Sequence, residues 1–183
     1  IKTIVKEHYN PIIERIRNIE KPVIAAINGT AAGAGANIAF SCDVVIASSK
    51  ASFTQAFSKI GLIPDSGGTF FLPRLIGWQK ASSLMMLSDK LSAEEAKDMG
   101  LIYDIIDVND FAEESKKIAK KLSKMPTKGI GLTKRALNES FTNNLNEQLE
   151  TEMHLQTEAS QSYDYNEGVN AFLEKRKPEF KGK

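Results

Sequence analysis

The segment 31–37 constrains the fold more than any other part of the chain, because no side chain before Asn37 is larger than a methyl group. It reads Ala-Ala-Gly-Ala-Gly-Ala-Asn and continues into the apolar residues 38–40. The β-branched run 23–27 precedes it and ends at an Asn-Gly pair. A run without alternation is typical of a strand that is covered on both faces. We therefore predict a buried strand, a glycine-rich turn and a short helix, in that order.

The remaining pattern predicts an α/β chain with a helical C-terminal part. Residues 1–19 have apolar side chains at helical spacing, which predicts an amphipathic helix with one buried stripe and a kink at Pro11. The other predicted elements are strands at 44–47, 51–53 and 101–106, and helices at 69–77, 79–88 and 92–100. Every apolar pattern after residue 109 is helical. We therefore divide the chain into an α/β core, residues 1–108, and a helical part, residues 109–183.

The composition is that of a packed globular chain. The sequence has 183 residues, 42% of them hydrophobic and 26% charged, and this length can bury a core without disulfides. Its 24 basic and 23 acidic residues leave a net charge of +1. No global field therefore attracts nucleic acid or an anionic membrane. The longest apolar stretch has too many polar interruptions to predict a membrane span.

The cysteine and histidine content excludes two further classes of site. The single cysteine, Cys42, cannot form an internal disulfide, and with two distant histidines it gives no zinc-binding spacing. A lone thiol fits a reducing, cytoplasmic setting. The chain begins at Ile1 and enters at once on a helical pattern, so we expect that a preceding segment is missing.

The turn Gly33-Ala34-Gly35 is the first candidate binding element. Small residues at the start of a helix leave backbone N–H groups uncovered, and such groups can donate to a phosphate or an oxyanion. The full dinucleotide-binding spacing fails, because residue 38 is isoleucine. Close packing of a helix on a sheet explains the same residues equally well, so both interpretations stay open.

Asp65 is the second candidate. An aspartate between Pro64 and Ser66, directly before a helix, is typical of a helix cap or a turn. A general base is the alternative, because a carboxylate in apolar surroundings suits that role. The apolar residues near it in sequence are Phe53, Phe57, Leu62, Ile63, Phe70 and Phe71.

The C-terminal residues 174–183 are the third candidate, with five positive and two negative charges. A solvated, frayed terminus is the common explanation of such a tail. Contact with a phosphate group is the functional one.

Six motifs follow one another along the chain, at 21–29, 32–36, 42–43, 61–69, 91–96 and 167–176. Together they resemble the crotonase superfamily, the enoyl-CoA hydratases and isomerases. The resemblance implies a crotonase-like ββα spiral with a helical C-terminal trimerisation region. It covers only the C-terminal majority of that fold, so the N-terminal part of the spiral is expected before Ile1.

The resemblance also implies roles for single residues. The backbone N–H of Ala34 would be an oxyanion-hole donor. Hydratases of the family have two catalytic glutamates, but this sequence has Asn37 and Phe57 in their places, so simple hydration is not expected. Asp65 falls where certain isomerases keep an aspartate. Substrate contacts are expected from Gly33, Asn37, Phe57 and Phe71, and contacts to the CoA of a neighbouring subunit from Phe172 and Lys175.

The run 56–65 is particularly similar to family members that isomerise 1,2-epoxyphenylacetyl-CoA. The resemblance therefore implies an acyl-CoA isomerase with Asp65 as its one acid/base group, acting on that ring epoxide or moving a 3-enoyl-CoA double bond to the 2-position. Phe53, Phe57 and Phe71 could form a wall for the acyl group, with core packing as the alternative. A hydratase with unusual catalytic groups and a non-catalytic acyl-CoA-binding relative are the competing hypotheses.

The resemblance implies no cofactor apart from the CoA of the thioester substrate, and no metal. It implies a homotrimer or a dimer of trimers, with neither nucleic acid nor a membrane as partner.

Overall fold

A computed structural model describes residues 1–183. The chain divides into two compact units, the first comprising Ile1–Ile16 and Val23–Lys116 and the second Arg17–Pro22 and Lys117–Lys183. All six strands lie in the first unit. The prediction of an α/β chain with a helical C-terminal part is confirmed. The boundary between residues 108 and 109 and the trimerisation role expected of the helical part stay predictions.

The N-terminal helical segment consists of α1 (Lys2–Ile4), a π-helical turn (Val5–Tyr9) and α2 (Asn10–Asn18). The π turn ends before α2, which contains Pro11, and the kink expected at Pro11 stays a prediction. The prediction of a buried stripe is wrong, since no residue of these three elements is buried. Ile13 is half-buried near Gly67, whereas Ile1 and Ile4 meet solvent.

The first sheet is parallel, in the order β1 (Ile24–Ile27), β3 (Val44–Ser48), β6 (Asp104–Ile106). β1 lies at the edge of this sheet. The prediction that it is covered on both faces is wrong, because Ala26 is exposed. The central strand β3 takes that place, with four of its five residues buried. β6 begins at Asp104 rather than at residue 101.

The second sheet contains β2 (Thr30–Ala32), β4 (Ser52–Thr54) and β5 (Leu91–Ser92). β2 is parallel to β4, and β5 is antiparallel to it. The sequence pattern did not predict β2, because three residues with short side chains carry no strand periodicity. The glycine-rich run therefore begins as a strand and becomes helical only after Gly33.

Helices of the first unit pack with the strands around one core. They are α3 (Ala34–Phe40), α4 (Gly68–Ile76), α5 (Trp78–Leu87) and α6 (Ala93–Asp98), with a 3-10 helix at Phe57–Ile60. The predicted capping box of α6 is present, and Gly100 ends that segment at φ +78°. Phe53 is 2% exposed in the core, with its ring 5.3 Å from that of Phe40. Phe53 therefore packs in the core, and its contact with an acyl group stays a prediction.

The residues after 109 form helices, as their apolar spacing predicted. The four helices are α7 (Phe111–Leu122), α8 (Thr127–Glu139), α9 (Leu145–Ser160) and α10 (Tyr163–Leu173). Asn144 and Glu147 form a capping box at the start of α9. A groove of about 820 Å³ runs between α8 and α9 and is lined by Leu137, Leu149 and Met153, all exposed.

Candidate active site

The turn into α3 has a backbone that favours glycine. Gly33 has φ +53° and ψ −125°, and its N–H donates to the carbonyl oxygen of Thr54 at 2.9 Å. Ala34 is the first residue of α3, so its N–H has no acceptor within the helix. An N–H in this position can donate to an oxyanion. The oxyanion-hole role of Ala34 stays a prediction.

Phe57 lies beside this turn. A methyl group at position 33 would be 3.6 Å from the Phe57 ring, which is 7% exposed. The structure therefore brings Gly33 and Phe57 together. Their contact with substrate stays a prediction.

The Asp65 turn reverses the chain sharply before α4. Ser66 and Gly67 both have positive φ, at +51° and +75°, and the N–H of Gly68 donates to the Asp65 carbonyl oxygen at 2.9 Å. Gly67 is the N-cap of α4, which has no side-chain cap. The helix-cap interpretation of Asp65 is therefore wrong, and a turn former remains.

The Asp65 carboxylate is half-buried and accepts a hydrogen bond from the Ser66 hydroxyl at 3.0 Å. The apolar surroundings expected from the sequence are incomplete, because Leu62, Ile63 and Phe70 are exposed. Asp65 therefore keeps access to solvent. Its role as acid and base stays a prediction.

Two buried amides connect the Asp65 turn to α3 and β4. Asn37 is 0% exposed and its Nδ2 donates to the Asp65 carbonyl oxygen at 2.9 Å. Gln55, at the end of β4, donates from Nε2 to Asn37 Oδ1 at 2.9 Å. Both ends of the Asn37 amide thus bond within the protein, and its predicted contact with substrate stays untested.

Sequence reasoning missed Gln55. The available signal was a single amide between Phe53 and Phe57, where an apolar strand ends. Such a residue is buried only if its polar atoms find partners, and the partner here is 18 residues earlier.

Phe71 supports the Asp65 turn. A methyl group at position 67 would be 2.7 Å from the Phe71 ring, which is 8% exposed and lies edge-on to the Phe70 ring at 5.1 Å. Phe71 therefore packs under the turn, and its predicted contact with substrate stays a prediction.

Phe172 and Lys175 lie in the second unit, at the end of α10. Phe172 is 83% exposed, and Lys175 has φ +55° just beyond the helix. A contact with another molecule requires such exposure. The predicted contact with CoA stays a prediction.

The basic tail is folded back on α10, so the frayed-terminus interpretation is wrong. The buried Asp164 carboxylate accepts the N–H groups of Lys181 and Gly182 at 2.6 and 2.9 Å. Glu167 accepts the N–H of residue 179 at 2.7 Å and two bonds from Arg176 at 2.6 and 2.9 Å. The hydrogen bonds of Arg176 lower the Glu167 pKa to about 2.

The structure contains no group of three or more His, Cys, Asp or Glu side chains that could hold a metal ion. None of its helices has the length and apolar character needed to cross a membrane.

Comparison with known proteins assigns the family. The model of the enoyl-CoA hydratase/isomerase family matches residues 1–183. The chain belongs to this family. Its crotonase fold, predicted from the motifs, is confirmed by an enoyl-CoA hydratase structure from Bacillus anthracis, with a TM-score of 0.92 and 33% identity over 100% of this chain and 72% of that one.

Two relatives in the family carry different names. The chain is 48% identical to the 1,2-epoxyphenylacetyl-CoA isomerase of Escherichia coli, over 98% of this chain and 68% of the relative. It is 44% identical to a probable enoyl-CoA hydratase of Rhodobacter capsulatus, over 100% of this chain and 71% of the relative. The family is thus an enzyme family acting on acyl-CoA, and both isomerases and hydratases occur among these relatives.

Proposed function

We propose that the protein is an acyl-CoA isomerase that uses Asp65 as its single acid/base group. One observation carries this proposal. Of the three positions at which family resemblance places a catalytic carboxylate, only position 65 has one, since the others hold Asn37 and Phe57. The 48% identity to the isomerase of Escherichia coli supports it.

The mechanism begins at the thioester. Its carbonyl oxygen accepts a hydrogen bond from the Ala34 N–H, which stabilises the enolate and so acidifies the neighbouring carbon. Asp65 takes a proton from one carbon of the acyl chain and returns it to another. The double bond moves, the number of protons is unchanged, and one carboxylate is sufficient.

The substrate we propose is 1,2-epoxyphenylacetyl-CoA, a 3-enoyl-CoA, or both. With the ring epoxide, the same donor and carboxylate assist rearrangement to an oxepin. Phe57 beside Gly33 and Phe71 under the Asp65 turn are the aromatic side chains that we propose for the wall of the acyl site. We further propose that Phe172 and Lys175 contact the CoA of a neighbouring subunit in a cytoplasmic homotrimer or dimer of trimers, and that no cofactor takes part.

Hydration is the second candidate, and the 44% identity to the relative from Rhodobacter capsulatus favours it. A hydratase must also activate a water molecule. Asn37 and Phe57 cannot remove its proton, so another group would have to do so.

The test uses three substrates in D₂O, namely crotonyl-CoA, a 3-enoyl-CoA and 1,2-epoxyphenylacetyl-CoA. We expect isomerisation of the second or third. Deuterium should enter the product of the 3-enoyl-CoA, and no 3-hydroxyacyl-CoA should form. Asp65→Asn should lower kcat by about 10²–10⁴-fold while acyl-CoA binding persists, because an amide cannot accept the proton. Accumulation of 3-hydroxyacyl-CoA at a rate comparable to isomerisation would overturn the single-carboxylate mechanism. Full activity of the Asp65→Asn protein would do the same.

A further inference from the structure

We propose that Asn37 and Gln55 are positioning residues that hold Asp65 in place for proton transfer. This inference rests on the proposed function, because it assumes that Asp65 is the base. Neither amide touches the Asp65 carboxylate in the structure. They act on the Asp65 backbone, and through it on where the carboxylate lies.

The two hydrogen bonds have a fixed direction. The Asp65 carbonyl oxygen can only accept, so Asn37 must present its NH₂ group to it, at 2.9 Å. Asn37 Oδ1 then faces Gln55, which must present its own NH₂ group, also at 2.9 Å. Donation therefore runs from Gln55 through Asn37 to Asp65, and the first amide determines the orientation of the second.

This direction leaves one polar atom unpaired. Gln55 is 3% exposed, and its Oε1 has no hydrogen-bond partner. A buried oxygen without a partner disfavours the folded state. Turning the Gln55 amide over would bring Oε1 against Asn37 Oδ1 and lose the bond between them. The orientation observed is thus the one that preserves the bonds leading to Asp65.

The Asn37 amide also has no room to move away from this path. A methyl group at position 68 would be 2.3 Å from Asn37 Nδ2, so the backbone of Gly68 lies directly against the amide. Gly68 donates its own N–H to the Asp65 carbonyl oxygen at 2.9 Å. Two donors on one oxygen fix the Asp65 backbone, and the carboxylate accepts a separate hydrogen bond from the Ser66 hydroxyl.

The position of Asn37 on α3 connects the proposed base to the proposed oxyanion donor. Asn37 is three residues after Ala34, within one turn of the same short helix. The helix that begins with Ala34, the proposed oxyanion donor, therefore also contains Asn37. Asn37 in turn bonds to the backbone of Asp65, the proposed base. The distance between the Ala34 N–H and the Asp65 carboxylate, on either side of the substrate, therefore depends on one helical turn and on the Asn37 amide.

The main test is Gln55→Met, which keeps the size of the side chain and removes its amide. It removes the unpaired Oε1 but leaves Asn37 Oδ1 without a donor, so one buried unpaired oxygen replaces another. We expect an unchanged midpoint of chemical unfolding and an unchanged KM. We expect kcat to fall by about 10- to 100-fold, because small displacements of a reacting group have effects of that size. The exposed Gln79→Met is the matched control and should change none of these quantities.

A second variant keeps the proposal falsifiable. Asn37→Leu removes both bonds, and the double variant with Gln55→Met should lower kcat no further than Asn37→Leu does alone, because both act through one path. An unchanged kcat for Gln55→Met overturns the inference, as does additivity of the two effects or a kcat loss that only follows a fall in stability. Asp65→Asn, measured in parallel, separates the two proposals. Its full activity would refute the proposed function, whereas its inactivity beside an active Gln55→Met protein would refute only the positioning role.

Discussion

Gly68 is packed closely against Asn37 near the candidate site. A methyl group there would be 2.3 Å from Asn37 Nδ2 and 2.7 Å from Asn37 Cγ, inside the normal contact distance. The amide is held by hydrogen bonds at both ends, so it cannot rotate away without breaking one of them. The absence of a side chain at this position is therefore a requirement of the site.

We expect Gly68→Ala to lower the free energy of unfolding by about 1–3 kcal/mol, the usual effect of overpacking, and to lower kcat as well. Urea denaturation and steady-state kinetics measure the two effects. Gly129→Ala is the matched control, because Gly129 lies inside α8 with open space where a methyl group would go. That substitution should stabilise the protein by about 0.4–1 kcal/mol. A Gly68→Ala protein as stable and active as the parent would contradict the close packing described.

At the scale of elements, α10 and the tail behind it form one hydrogen-bonded piece. Asp164 and Glu167 lie one turn apart on α10 and accept N–H groups from the returning chain. Truncation after residue 174 would leave the buried Asp164 carboxylate without these donors. Truncation therefore cannot test whether the tail's positive charges bind a CoA ester, because it also disturbs the packing around Asp164.

We expect Glu167→Gln to destabilise the protein in a pH-dependent way. The Arg176 hydrogen bonds lower the Glu167 pKa from 4.5 to about 2 on folding, so the ionised carboxylate favours the folded state above pH 4.5. That contribution is lost as the pH falls from 4.5 through 2. The difference in unfolding free energy between the parent and Glu167→Gln should be largest near neutral pH and shrink over this interval.

Denaturant titrations at several pH values measure this difference. Glu174→Gln is the control, because Glu174 also contacts Arg176 at 2.6 Å but its side chain is 61% exposed. Exposed ion pairs contribute little, so its effect should be small at every pH. A Glu167→Gln effect that is equal at pH 7 and pH 2 would show that the carboxylate charge does not hold the tail.

For the whole molecule, the proposed contact of Phe172 with the CoA of a neighbouring subunit would make each site a combination of two subunits. Asp65 lies in the first unit, and Phe172, which is 83% exposed, lies in the second. If Phe172 contacts the CoA of a neighbouring subunit, each complete site combines Asp65 of one protomer with Phe172 of another. The proposal therefore predicts complementation between two defective proteins.

We expect Asp65→Asn protein to be inactive, and Phe172→Ala protein to have a raised KM with an unchanged unfolding midpoint, since the side chain is exposed. Refolding the two as a 1:1 mixture should restore the parental KM at about a quarter of the sites, the fraction given by random pairing around a closed ring. Each variant refolded alone is the control. If no site with the parental KM forms, Phe172 does not serve a neighbouring subunit.

Local patterns in the sequence were sufficient for much of the fold. Helical spacing predicted the four C-terminal helices, and Ser92 with Glu95 predicted the capping box of α6. These features depend on residues within a few positions of one another, so the sequence contains the whole interaction. The ordered motifs likewise indicated the family and its crotonase fold, which the comparisons confirm.

The sequence pointed to Asp65 but left its local role open between cap, turn and base. Only the structure excluded the cap interpretation, because it shows Gly67 at the N-cap of α4. That position depends on backbone angles that no residue type dictates alone. In the same way, the edge position of β1 depends on which strands pair, and that pairing joins residues 20 apart.

The sequence by itself determined most of the local elements and the family, and it pointed to Asp65 as the candidate carboxylate. The tertiary structure alone decided that Gln55 and Asn37 hold the Asp65 turn, and that Asp164 and Glu167 hold the tail. The physical reason is the same in both cases. A buried polar group is acceptable only with a partner, and these partners come from distant parts of the chain or from backbone groups that every residue has, so no residue pattern marks them in advance.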